Sequence, residues 1–159
     1  LLAGINTFIS ASFEELLCRA FALTLLVRAF ELNRGQRPYL YAVLVSSLLF
    51  GLAHLANLIS NPDTLGAVLG QGLYAFFIGV GFAACYIITR SLLPLIIIHG
   101  AINYMSFISE SGLEPDAKTF EDTLGTVIVC LPLFLFGIWL LRKEPISSQL
   151  NRKQASLTN

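Results

Sequence analysis

Five apolar runs, at roughly 2–30, 39–59, 64–89, 92–108 and 123–141, are separated only by short polar connections. Crossing the hydrocarbon of a bilayer takes about 20 apolar residues, and each run reaches that length, the fourth barely. A lipid-embedded segment must satisfy its own backbone hydrogen bonds, so such runs are read as helices. Glycine and proline within them (Gly79, Gly81, Pro94, Pro132) are tolerated in membrane helices. Composition agrees: 13% of residues are charged and mean hydropathy is +0.73, against about 25% charged in ordinary soluble domains. The expected fold class is therefore an all-α integral membrane protein, a polytopic bundle of about five transmembrane helices. It occupies residues 1–142, and 143–159 form a polar, disordered C-terminal tail.

The connections carry the remaining charge unevenly. Arg28, Arg34 and Arg37 follow the first run, Arg90 follows the third, and Arg142, Lys143, Arg152 and Lys153 follow the fifth. The other two connections hold only Lys118. Five spans alternate sides without conflict, and the positive-inside rule puts the basic side in the cytoplasm. A net charge of zero gives no reason to expect a nucleic-acid partner. Cys18, Cys85 and Cys130 fall in apolar runs with no CxxC spacing and read as small buried hydrophobes.

Ionisable side chains are costly in hydrocarbon, and those that occur there mark functional sites by default. In "SASFEELLCRAFAL" (10–23) they are Glu14, Glu15 and Arg19; elsewhere in the runs stand His54, His99 and Asn103, with weaker polar residues such as Gln71. Glu15 and Arg19 are four apart with the acid first, the favoured order for an ion pair on one helix face. Glu14 is rotated about 100° from Glu15 and is free to point elsewhere. His99 and Asn103 share a helix face, as do Phe50 and His54; Phe50 is read as packing. Ser12-x-x-Glu15 matches a capping box, which predicts a helix from Ser12 to about Phe30. Residues 1–11 would then be a loop or the end of an earlier helix, and both glutamates would lie in the first turn, near the membrane face. On that topology Glu14, His54, His99 and Asn103 fall in the same outer half of the bilayer, which argues for one shared site.

A carboxylate beside a histidine can take a proton from water and return it to a leaving amine. A histidine and an asparagine on a facing helix can donate to an oxyanion. These are the parts of a peptide hydrolase that works through activated water. Glu14, His54 and His99 with a water are also a candidate ligand set for zinc, and the sequence leaves both modes open. No HExxH or GxSG is present, and Asp63, Asp116 and Asp122 lie in connections, so other intramembrane protease chemistries lack their residues.

"EELLCR" reads as EExxxR, "FGLAH" as FxxxH and "HGAIN" as HxxxN. In this order, on three separate runs, they resemble the CPBP intramembrane proteases, which comprise CAAX prenyl endopeptidases and bacterial bacteriocin-processing or self-immunity proteins, the Abi family. The resemblance implies an endopeptidase in which Glu14 is the general base, His54 assists it, His99 and Asn103 stabilise the oxyanion, and Glu15 and Arg19 support the site. It implies a metal-free glutamate mechanism in preference to zinc, a peptide or protein substrate that is prenylated or carries a bacteriocin leader, contact with membrane lipid, and a bacterial cell membrane as location. Family members carry more than five spans, which implies helices N-terminal to this sequence. CAAX processing takes place at the cytoplasmic side, whereas the charge count puts this site in the outer half. The competing class is a non-enzymatic scaffold, immunity or transporter-like protein that uses the same polar core to bind.

Overall fold

In the computed structural model, residues 2–32, 37–60, 65–111 and 120–143 are described, and all the regular structure among them is helical. The first helical run comprises α1 (Leu2–Glu15), a π-helical segment (Leu16–Leu23) and α2 (Thr24–Leu32) without a break. It is followed by α3 (Pro38–Ala53), a 3₁₀ turn (His54–Ala56), a short α4 (Asn57–Ser60), α5 (Leu65–Thr89), α6 (Leu93–Ser111) and α7 (Phe120–Lys143). Each of the five apolar runs is thus a helix. Among the described residues three stretches are long and apolar enough to cross a membrane, Pro38–Ile59, Leu65–Thr89 and Leu124–Arg142, and Leu93–Ile108 is a shorter apolar helix. The run through α1 and α2 has the length, but Glu14, Glu15, Arg19, Arg28 and Glu31 interrupt its apolar character. The polar tail read as disordered lies, from residue 144 on, outside the described residues.

The helix start read at Ser12 is corrected. The helix begins at Leu2, and the Ser12 hydroxyl donates to the Phe8 carbonyl at 2.7 Å, the back-bond a serine makes inside a helix. No capping box forms, because the helix carries straight through the position. Glu14 and Glu15 therefore lie near the middle of a continuous helix and not in a first turn.

α5 is the central element and packs against both α3 and α7. Glycines allow the close approaches: a Cβ on Gly51 would lie 2.6 Å from the Gly72 carbonyl oxygen, and one on Gly81 would lie 2.3 Å from Leu133. Membrane helices gain van der Waals contact through small residues of this kind. One buried cluster (Leu23, Ala42, Val43, Val80, Ala83, Ile87) joins the first helix, α3 and α5, and a second (Ile78, Phe82, Leu95) joins α5 to α6. Large apolar side chains such as Phe13, Leu17, Phe21, Ile128 and Val129 face outward, as expected of a surface solvated by lipid. α1 packs on α6, and the π segment and α2 pack on α3, so the first helix bridges the two halves of the site.

Candidate active site

Glu15 ends α1 and is completely buried; Arg19, in the π segment, is 2% exposed. Arg19 Nη1 lies 3.1 Å from Glu15 Oε1, so the two form the expected ion pair. The pair is not aligned as a hydrogen bond, and Glu15 Oε2 and both terminal nitrogens of Arg19 have no hydrogen-bond partner. The guanidinium instead lies over the Phe50 ring, 4.5 Å from its centroid, with Phe82 at 5.8 Å. Both charges are thus held inside the bundle by each other and by aromatic faces.

α6 brings His99 against this pair. Its Nδ1 is 2.8 Å from Glu15 Oε1 and its Nε2 is 3.5 Å from Glu14 Oε2. A carboxylate only accepts, so Nδ1 carries hydrogen and donates to Glu15. Nε2 and the Glu14 carboxylate attract each other when a proton sits on either atom. His99 itself is buried. Gly100, the next residue, makes the approach feasible, since a Cβ there would stand 2.3 Å from Phe8 Cδ1 on α1.

Glu14 is the open member of the two glutamates. Its side chain is 31% exposed, and the Ser10 hydroxyl donates to its Oε1 at 2.8 Å. Asn103 follows His99 by one turn on α6 and is half-buried.

His54 opens the 3₁₀ turn at the end of α3 and is half-buried. Its Nδ1 is 3.0 Å from the Phe50 carbonyl oxygen. A carbonyl also only accepts, so Nδ1 donates and the neutral ring presents a lone pair at Nε2. The Phe50 ring meets both imidazoles edge-on, His54 at 5.0 Å and His99 at 5.8 Å between centroids.

The structure therefore gathers Glu14, Glu15, Arg19 and His99 into one contact network and ties His54 to it through Phe50. The imidazole in contact with Glu14 is that of His99, not that of His54. Among the described residues no group of three His, Cys, Asp or Glu side chains can hold a metal ion. In His54 and His99 alike Nδ1 is engaged as a donor, which leaves Nε2 of each ring toward the site, and Nε2 of His99 lies 3.5 Å from Glu14 Oε2. The three cysteines are free and half-buried. Gln71 accepts from Asn57 at 2.9 Å.

Sequence reasoning did not single out Ser10, although its i,i+4 spacing to Glu14 was a usable signal. It also missed Phe82, for which "GFAAC" carries no signal, and it assigned Phe50 to packing without seeing that one ring touches both histidines and the arginine.

A family model described as type II CAAX prenyl endopeptidase Rce1-like matches residues 1–105, a stretch that contains every residue named in this network. No curated protein and no solved structure matches the chain.

Proposed function

The chain belongs to the type II CAAX prenyl endopeptidase Rce1-like family, one of the CPBP intramembrane proteases, and on that footing we propose that it is an intramembrane endopeptidase in which Glu14 activates the attacking water. The observation that carries this reading is the asymmetry of the two adjacent glutamates. Glu15 is sealed and occupied by Arg19 and His99, whereas Glu14 keeps an exposed carboxylate beside an imidazole. Of the two, only Glu14 can meet water and peptide.

In this mechanism Glu14 accepts a proton as the water oxygen attacks the scissile carbonyl carbon. The carbonyl oxygen becomes an oxyanion, with His99 Nε2–H and the Asn103 amide as donors to it. Glu15, by accepting from His99 Nδ1–H, orients the ring so that Nε2 and not Nδ1 faces the reaction; with hydrogen on both ring nitrogens, Nε2–H is the donor. His54 accepts a hydrogen bond from the water at Nε2 and orients it. Glu14 then passes its proton to the departing amine as the C–N bond breaks. No step is routed through a metal. The substrate class we favour, from the family, is a membrane-associated protein with a prenylated C-terminal CAAX segment.

The test is cleavage of prenylated CAAX peptides and of double-glycine leader peptides by the protein in liposomes. Wild type is run beside Glu14→Gln and His99→Ala, each with and without a chelator. Cleavage of the prenylated peptides by wild type, lost in both variants and insensitive to chelator, is the expected result. Loss of activity on chelation would restore the zinc reading. Full-rate cleavage by a folded Glu14→Gln protein would remove Glu14 from the chemistry, and cleavage of neither peptide class by folded wild type would favour the binding-scaffold class.

A further inference from the structure

A polar cavity lies at the other end of the first helix, with Arg28 roughly 20 Å along the helix axis from Glu15. Its volume is about 170 Å³, and its lining includes Thr24, Arg28, Glu31, Tyr39, Tyr86 and Arg90. α2, the start of α3 and the end of α5 meet here.

Charge is the first indication of what it takes. Two guanidinium groups and one carboxylate leave one positive charge over. Among the described residues neither Arg28 nor Arg90 is ion-paired with a carboxylate, while Glu31 has the Tyr39 phenol beside it.

The backbone of Arg90 is the second. Its φ is 56°, the only positive value at a non-glycine residue among those described. Its N–H donates to the Tyr86 carbonyl at 2.8 Å, closing α5 in the left-handed cap conformation where glycine is the usual residue. The cap needs only backbone atoms, so the strain of an arginine there points to a use for its side chain, which lines the cavity.

Surroundings are the third. Leu25, Leu32 and Leu93, near this end of the bundle, are 49%, 84% and 66% exposed, and offer apolar surface to acyl chains. Arg28, Arg37, Arg90 and Arg142, the described arginines of the basic connections, also stand toward this end, the side expected to face the anionic cytoplasmic leaflet.

We propose that this cavity binds the phosphate monoanion of an anionic phospholipid headgroup, with Arg28 and Arg90 as its cationic ligands. One phosphodiester charge neutralises the surplus, and guanidinium is the side chain best matched to phosphate oxygens.

The full chain in neutral detergent is titrated with short-chain phosphatidylglycerol, short-chain phosphatidylcholine or glycerol phosphate. Its thermal midpoint and the lipid retained in native mass spectrometry are read. Phosphatidylglycerol is expected to raise the wild-type midpoint saturably with one retained lipid, and the other two compounds to leave it unchanged. Arg28→Gln and Arg90→Gly each weaken that response by roughly tenfold. Arg90→Gly does so with an unliganded midpoint at or above wild type, because glycine relaxes the cap. An undiminished response in Arg90→Gly would overturn the proposal and make Arg90 a cap alone. Equal stabilisation by phosphatidylcholine would reduce it to an acyl-chain effect, and stabilisation by glycerol phosphate alone would replace the lipid with a water-borne phosphate.

Discussion

Replacing each adjacent glutamate by glutamine should have opposite consequences for stability and for chemistry. Glu15→Gln keeps the shape and leaves an acceptor for His99, but removes the anion paired with Arg19. Both partners are buried, at 0% and 2% exposure. Removing one member of such a pair strands the other charge, at a cost of about 3–5 kcal/mol. The aromatic faces of Phe50 and Phe82 keep part of the arginine's stabilisation, which sets the lower end of that range as the expectation. Glu14→Gln removes a carboxylate that is 31% exposed and 3.5 Å from its imidazole. Water screens that contact, so about 1 kcal/mol or less is expected. Unfolding of the reconstituted protein by SDS in mixed micelles, followed by far-ultraviolet helicity, measures the two. A gap of roughly 2 kcal/mol or more, with Glu15→Gln the weaker protein, is predicted. Equal destabilisation, or a Glu15→Gln protein within about 0.5 kcal/mol of wild type, would refute the claim that Glu15 is sealed and Glu14 open.

Activity should reverse the order for Glu14. With prenylated peptide in excess, Glu14→Gln should lower kcat by at least about 100-fold with little change in KM. Ser10→Ala removes the hydroxyl that fixes Glu14 Oε1; stability should move by about 1 kcal/mol or less, while turnover falls by less than that of Glu14→Gln and the pH–rate profile shifts. Gly100→Ala puts a methyl 2.3 Å from Phe8, with an expected cost of about 1–3 kcal/mol in the same SDS titration, and reduced turnover as α6 moves off α1. Adding Phe8→Ala should restore much of both, and failure of that rescue would count against the α1–α6 contact as the element that sets the His99–Glu14 distance.

The helices were legible because charge is excluded from lipid, which leaves the apolar runs visible in the bare sequence. The Glu15–Arg19 pair was legible because four residues is one helical turn, whichever neighbours surround it. Ser12 misled for a physical reason: its hydroxyl can cap a helix start or back-bond within a helix, and the choice depends on whether the chain upstream is helical. The sequence pattern around Ser12 does not encode that. The π segment carries no residue-level mark. The Glu15–His99 contact spans 84 positions and exists only because α1 packs on α6. Whether Glu14, His54 and His99 converge is decided at the same level, and among the described residues they form no metal-holding group. Spacing can nominate residues, but the direction of each ring nitrogen is set by partners such as the Phe50 carbonyl and Glu15, which the motif does not report.

The π-helical segment has a consequence for how the first helix can change. α1 is keyed to α6 through the glutamates, and α2 is keyed to α3 through the cluster around Leu23. Leu16–Leu23 is the stretch that brings both faces into phase. Excising one residue from it, Ala20 or Ala22 for instance, would turn one half against the other by about 100°, so that Glu15 and Leu23 could not both face inward. Point substitutions on the lipid side of this stretch should be absorbed, whereas a change of one residue in its length should not. The segment therefore acts as a phase-setting spacer, and tolerance to insertion and deletion should fall to its minimum there.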